Sequence, residues 1–262
     1  MEFWTFEHFI TIVPAVIVMV MITYFLSKLL KNKSYEVRMI PFKFLAVVLF
    51  ISEVIKQILS FLQGYDLYHI PLHVCSLFIF LIPLMAFYRG KGSDVIRTFA
   101  CTVCMALSLF ITLYPNLIYS SGNITNFFRN YFDFHTVFFH NLVIFEFILI
   151  IGLNLHSAKG KKYDLNVLIG AITYSAVAAI MSQILKTNFS NFYRCNIGPL
   201  NDLINTVKSS IGYAFGQTIY VVILFILHIA FFYGAYKLYT QVEKLAKNVC
   251  DKNLKSNKSD VI

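Results

Sequence analysis

The chain has 262 residues, 58% of them hydrophobic and 13% charged, with a formal net charge of +9 and a mean hydropathy of +0.69. A soluble domain of this size has no use for so much apolar surface, so the composition excludes a water-soluble globular protein and points to an all-α, polytopic membrane helix bundle. The positive charge is accounted for by membrane topology and anionic lipid, and calls for no nucleic-acid partner.

Seven stretches are long and apolar enough to cross roughly 30 Å of hydrocarbon as transmembrane helices: residues 9–29, 44–62, 70–87, 99–118, 136–153, 165–185 and 212–236. The residues ahead of the first, Met1-Glu2-Phe3-Trp4, carry no basic segment, and the run that follows is too long for a cleaved signal peptide, so it is expected to stay as a span. Lys28, Lys31, Lys33, Arg38 and Lys43 follow the first span. Arg89, Lys91 and Arg97 follow the third, and Lys159, Lys161 and Lys162 the fifth. Lys237, Lys244, Lys247, Lys252, Lys255 and Lys258 follow the last. The opposite face carries only Arg129, Lys186, Arg194 and Lys208. The positive-inside rule then puts the N-terminus outside and the C-terminus in the cytoplasm. Residues 1–262 read as one membrane domain without internal repeats, and residues 237–262 as a basic tail lying against anionic headgroups. The Lys-, Asn-, Ile- and Phe-rich usage fits a bacterial plasma-membrane protein encoded by an AT-rich genome.

The second span carries Glu53, Lys56, Gln57 and Ser60 at i, i+3, i+4 and i+7, one helical face. Charged groups cost about 2.5–3.5 kcal/mol each at mid-bilayer. Glu53 and Lys56 must therefore face protein or water, either as a structural ion pair or as the wall of a polar cavity. The third span opens with Tyr68-His69-Ile70-Pro71-Leu72-His73-Val74-Cys75-Ser76. Pro71 suits a first helical turn, so a helix is expected to start there and to offer its free N–H groups to a phosphate or an oxyanion. Cys75 would sit one turn inside, either as a nucleophile or as an inert thiol. On a regular helix His73 and Cys75 stand roughly 200° apart, so a base for Cys75 must come from another helix.

Cys101 and Cys104 form a lone CxxC on the fourth span, too little for a zinc or redox reading. The fifth span supplies His135, His140, Asn141 and, deeper, Glu146. Counted at 1.5 Å per residue, His140, His73, Cys75, Glu53 and Lys56 fall in one layer of the outer half of the bundle. Residues 186–210 are polar, aromatic and punctuated, more like an ordered lid than a linker. This lid holds Cys195, which could form a disulfide with Cys75 on the outer side. The last span presents Tyr213, Gln217 and Tyr220 on one face, with His228 deeper.

Three segments in order, Ile70-Pro71-Leu72-His73-Val74-Cys75-Ser76, Phe138-Phe139-His140-Asn141 and Thr187-Asn188-Phe189, resemble the Pro-Leu-His-Leu-Cys, Phe-Phe-His-Gly and Thr-Asn-Tyr elements of the bacterial YwaF integral membrane proteins. Asn141 replaces that family's glycine and Phe189 its tyrosine. The YwaF proteins are in turn distantly similar to the eukaryotic transmembrane protein 164 acyltransferases. The resemblance implies an enzyme that carries a fatty acyl group on cysteine and passes it to a lysophospholipid. In the eukaryotic Pro-Cys-His pattern Leu72 stands where the cysteine should be, so the histidines match better than the nucleophile.

Three readings follow. In the first, the protein is a lipid-modifying enzyme, an acyltransferase or lipid hydrolase. His73, His140 and Cys75 are then catalytic, Glu53, Lys56, Glu146, Asn188 and Gln217 bind substrate, membrane lipids are the partners, and neither cofactor nor metal takes part. In the second, the polar residues line the site of a transporter or binding protein. In the third, His69 and His73 at i, i+4, with His135 or His140, hold the metal of a lipid hydrolase.

Overall fold

The computed structural model describes residues 3–157, 161–196 and 198–259, so Lys159 of the basic loop after the fifth predicted span and the last three residues of the tail lie outside the described residues. In chain order the helices are α1 (Phe6–Leu30), α2 (Tyr35–Arg38), α3 (Ile40–Leu62), α4 (Phe78–Phe87), α5 (Ser93–Leu113), α6 (Pro115–Ile118), α7 (Ser121–Thr125), α8 (Tyr131–Gly152), α9 (Lys161–Leu185), α10 (Gly198–Ile211) and α11 (Tyr213–Ser259). Six of them, α1, α3, α5, α8, α9 and α11, are long and apolar enough to cross a membrane. The protein is a multi-pass, all-α integral membrane protein.

α5 and α8 are the inner helices. α5 packs on α4, α8, α9 and α11, and α8 also packs on α1 and α3. Small side chains let the neighbours come close: Ala100, Cys101, Thr102, Val103, Cys104 and Ala106 are all buried on α5. α1 stands at the rim, with Ile17, Phe25 and Leu29 among its many exposed apolar residues, as a lipid-facing helix should. Its inner anchor is His8, fully buried, whose Nε2 donates to the Tyr119 carbonyl at 2.8 Å while Nδ1 accepts from Thr5.

The third predicted span differs most from expectation. Residues 70–74 are not helical; a 3-10 turn covers Cys75–Leu77 and the α-helix begins only at Phe78. The ten residues of α4 rise about 15 Å, half the hydrocarbon thickness. Proline explains the break. Pro71 offers no N–H, and it drives Ile70 into extended backbone (φ −57°, ψ 131°) instead of a helical turn. The expected helix N-terminus at Pro71, with its anion site, is therefore absent. A proline also shortens the fourth span. The helix stops at Leu113, Tyr114 leaves the helical region (φ −148°, ψ 70°) ahead of Pro115, and α6 starts at that proline.

Residues 119–135 hold α7 and the first turn of α8, which Asn130 caps by accepting from the Phe132 N–H at 2.9 Å. The last helix runs unbroken beyond the predicted limit at 236 to Ser259. At the lysine-rich end of the bundle the loops interlock. Glu36 pairs with Lys43 (2.9 Å) and Arg89 (3.7 Å), Arg38 donates to the Leu153 carbonyl (3.0 Å), and Lys237 meets Asp164 (2.9 Å).

Candidate functional site

The opposite end of the bundle holds a cavity of about 760 Å³. It is built where the C-terminal half of α3, the broken segment before α4, the end of α5 with α6, the start of α8, the loop after α9 and the middle of α11 converge. One half is polar, with Glu53, Lys56, His69, His73, His135 and His140 in its wall. The other half is largely apolar, with Leu107, Phe110, Leu117, Leu227 and Phe231, and takes in His228 of α11, whose ring stacks on Phe192.

Glu53 is the hub of the polar half. It is 3% exposed. Lys56 Nζ stands 2.9 Å from its Oε1, and Gln57 Nε2 donates to Oε1 at 2.6 Å. His135 Nε2 lies 3.1 Å from Oε2 without a well-aligned hydrogen bond. The one-face spacing of Glu53, Lys56, Gln57 and Ser60 makes this possible. The same face then grips the next segment: Gln57 donates to the His69 carbonyl (2.8 Å), and the Ser60 hydroxyl meets His69 Nδ1 (2.6 Å). His69 stacks on Phe132, with ring centroids 5.0 Å apart. Burial, reinforced by Lys56, holds the His69 imidazole below its ordinary range, so it is neutral.

His73 sits between the rings of Tyr68 (4.3 Å) and Phe189 (5.5 Å). Its Nδ1 accepts the Ser190 N–H at 3.4 Å, so the proton of the neutral ring is on Nε2. That Nε2 is buried and has no hydrogen-bond partner. Burial pushes the His73 pKa down to about 4, against an opposing pull from the Tyr68 backbone carbonyl. His140, 6% exposed, has the reverse arrangement. Its Nδ1 faces the Thr136 carbonyl at 2.6 Å and must donate to it, which leaves the Nε2 lone pair free. These two imidazoles, which line the cavity, thus carry their protons on different nitrogens, His73 on Nε2 and His140 on Nδ1.

The loop after α9 closes over this layer. Ser190 (φ 48°) and Asn191 (φ 68°) are both left-handed, a conformation that non-glycine residues hold only under tertiary constraint. The constraint is visible. Ser190 Oγ accepts from the Val74 N–H (3.0 Å) and meets Tyr174 Oη (2.6 Å), and Tyr174 also donates to the Leu72 carbonyl (3.1 Å). Asn188 knits the loop, accepting from the N–H groups of Tyr193 (3.2 Å) and Arg194 (2.9 Å) and donating to Asn196 (3.0 Å).

Of the residues singled out in the sequence, His73, His140, Cys75, Glu53, Lys56 and Asn188 all line this cavity. Glu146 and Gln217 do not. Glu146 is fully buried on α8, with both carboxylate oxygens unpartnered, and Gln217 donates to Gln183 (3.0 Å) and the Tyr193 carbonyl (3.1 Å). The opposed directions expected of His73 and Cys75 are not found. Both reach the same cavity because the segment between them is not a regular helix. Cys75 and Cys195 are not joined in a disulfide. Among the described residues no three His, Cys, Asp or Glu side chains gather as a metal site would require. Ser190, Tyr174 and the pairing of His135 with Glu53 escaped the sequence reading; a strained serine and a cross-helix contact leave no trace in one sequence.

A model of the TMEM164 family matches residues 3–236. No curated protein and no solved structure matches the chain.

Proposed function

This chain belongs to the TMEM164 family, and from that premise we propose that it is a lipid acyltransferase working at the cavity formed by α3, α8, the segment before α4 and the loop after α9. The observation that carries the reading is the pair of neutral histidines of opposite tautomer, His73 with Nε2–H and His140 with a free Nε2 lone pair. Acyl transfer needs one of each. His140 takes the proton of the attacking group as that group bonds to the acyl carbonyl carbon. His73 donates its N–H to the oxyanion that forms on the carbonyl oxygen. When the tetrahedral intermediate collapses, the bond to the departing oxygen breaks, and that oxygen leaves with the proton held by His140. The acyl group has moved from one hydroxyl to another with no change of oxidation state.

The attacking group is a lysophospholipid hydroxyl, or first the Cys75 thiol and then that hydroxyl. A hydrolase differs only in using water. The layout of Lys and Arg supports an outside N-terminus, a cavity open to the outer leaflet and seven spans with α4 as the short one; the three ordered motifs around His73, His140 and Asn188 support a YwaF-type protein of a bacterial plasma membrane. The test is acyl transfer to a lysophospholipid by purified protein in vesicles. His140→Gln should abolish it. His73→Gln, which keeps an N–H near the Nε2 position, should keep more activity than His73→Ala. Cys75→Ala separates the routes, since an acyl-thiol intermediate dies with it and direct transfer survives. Full activity in both His140→Gln and His73→Ala would end the proposal.

A further inference from the structure

The apolar half of the cavity does not end inside the protein. Leu227 belongs to its wall and is 57% exposed on the outer face of α11. Ile223 (53%), one turn before it, and the adjacent Ile226 (59%) are exposed as well. This is the face of a membrane-spanning helix, so what lies outside is hydrocarbon. Leu117 and Ile118 of α6, the short helix that starts at Pro115 after the break at Tyr114, also line the cavity. Phe110 of α5 and Phe231 of α11 meet behind the opening, with ring centroids 4.5 Å apart. These residues carry no charge.

We propose that the gap between α6 and α11, with Leu227 at its threshold, is a lateral portal through which the acyl chain of a membrane lipid passes from the bilayer into the cavity. This rests on the lipid reading above and adds the route and the orientation. The chain lies between Leu117 and Leu227 in the apolar half, and the ester end reaches the histidines. The volume fits: about 300–1,000 Å³ is the range of sites that engulf a small ligand, and this cavity has about 760 Å³. The physical advantage is that the chain never crosses water. Each methylene moves from one apolar environment to another, avoiding about 0.8 kcal/mol per CH₂ of exposure. Only the polar end has to be desolvated, and the Glu53, Lys56 and histidine layer is there to receive it.

The test uses the full-length protein in phosphatidylcholine vesicles that contain a phosphatidylcholine with a photoactivatable group near the end of one acyl chain. After illumination, labelled residues are mapped by peptide mass spectrometry. The portal requires label on Leu117, Ile118, Leu224 or Phe231, and a several-fold drop at these sites in Leu227→Trp. Leu117→Trp, on α6, should give the same drop, and unchanged melting of either variant shows that the fold is intact. Label confined to outward residues such as Ile17 and Phe25 of α1, or cavity labelling unaffected by both tryptophans, would overturn the portal. The readout is independent of catalysis. Cavity labelling together with unimpaired acyl transfer in His140→Gln and His73→Ala would leave the portal standing and remove only the catalytic reading.

Discussion

Ser190 holds His73 across 117 residues of sequence, its backbone N–H donating to the imidazole Nδ1 at 3.4 Å. Its side-chain oxygen holds the neighbouring Val74 N–H at 3.0 Å. A left-handed serine in the loop after α9 therefore fixes both the tautomer of His73 and the path of the chain that carries it.

Removing that oxygen should loosen the clamp. Ser190→Ala leaves the part-buried Val74 N–H without its partner and keeps the left-handed strain; an unsatisfied buried donor costs about 1–3 kcal/mol. Ser190→Gly loses the same oxygen but relieves the strain. The expected order of thermal stability in detergent is wild type, then Gly, then Ala. Ala matching the wild type would mean that the oxygen does not hold the segment.

Glu53 should be the most sensitive position in the polar half. Glu53→Gln leaves the Lys56 ammonium, part-buried beside it, without its carboxylate, and breaking a buried pair costs about 3–5 kcal/mol. Glu53→Gln with Lys56→Met removes both charges and should recover much of that loss. A double-mutant cycle on melting transitions measures the coupling. Additive effects would show that the two charges are independently solvated.

The helices α1, α3, α8, α9 and α11 were legible because an apolar run of sufficient length has few alternatives in a bilayer. The layer joining Glu53, Lys56, His73, Cys75 and His140 was legible for a related reason, since depth can be counted along each span. What failed was the third span. Its apolar run from Ile70 to Phe87 reads as one helix, yet Pro71 breaks the start and the freed backbone groups are satisfied by Ser190 and Tyr174, which lie far away in sequence. Glu146 misled for the opposite reason. Its place on the fifth span was correct, but which way a side chain faces on a helix buried nearly all round cannot be read from a run that is apolar on every side.

Stability should fall in mild acid through His73. Its folded pKa, about 4, is below the ordinary 6.5 because burial opposes the charged ring. The folded state therefore binds fewer protons than the unfolded state between these values, and stability is complete above 6.5 and lost as pH falls from 6.5 towards 4. The full shift corresponds to about 3 kcal/mol. Melting temperature followed from pH 7 to pH 4 should decline in the wild type and decline less in His73→Gln. Equal slopes would show that His73 is not the group titrating.

α10 should be displaced by a single methyl group. A Cβ on Gly216 would come within 2.8 Å of the Lys208 Cα, a backbone atom that no rotamer change can move, so Gly216→Ala must push α10 away from α11. Overpacking of this kind costs about 1–3 kcal/mol. Lys208 Nζ lies 5.0 Å from the Tyr220 ring centroid, and the Tyr220 hydroxyl donates to the Asn191 carbonyl in the loop over the cavity. The disturbance should therefore reach residues 188–196 as faster amide hydrogen exchange, while the far, lysine-rich end keeps its protection. Truncating Lys208 to Ala in the same chain should give only partial relief, because it removes the equally close Cγ (2.8 Å) but leaves the Cα. Exchange in residues 188–196 unchanged by Gly216→Ala would mean that the loop is held by Ser190, Tyr174 and Asn188 alone, without support from α10.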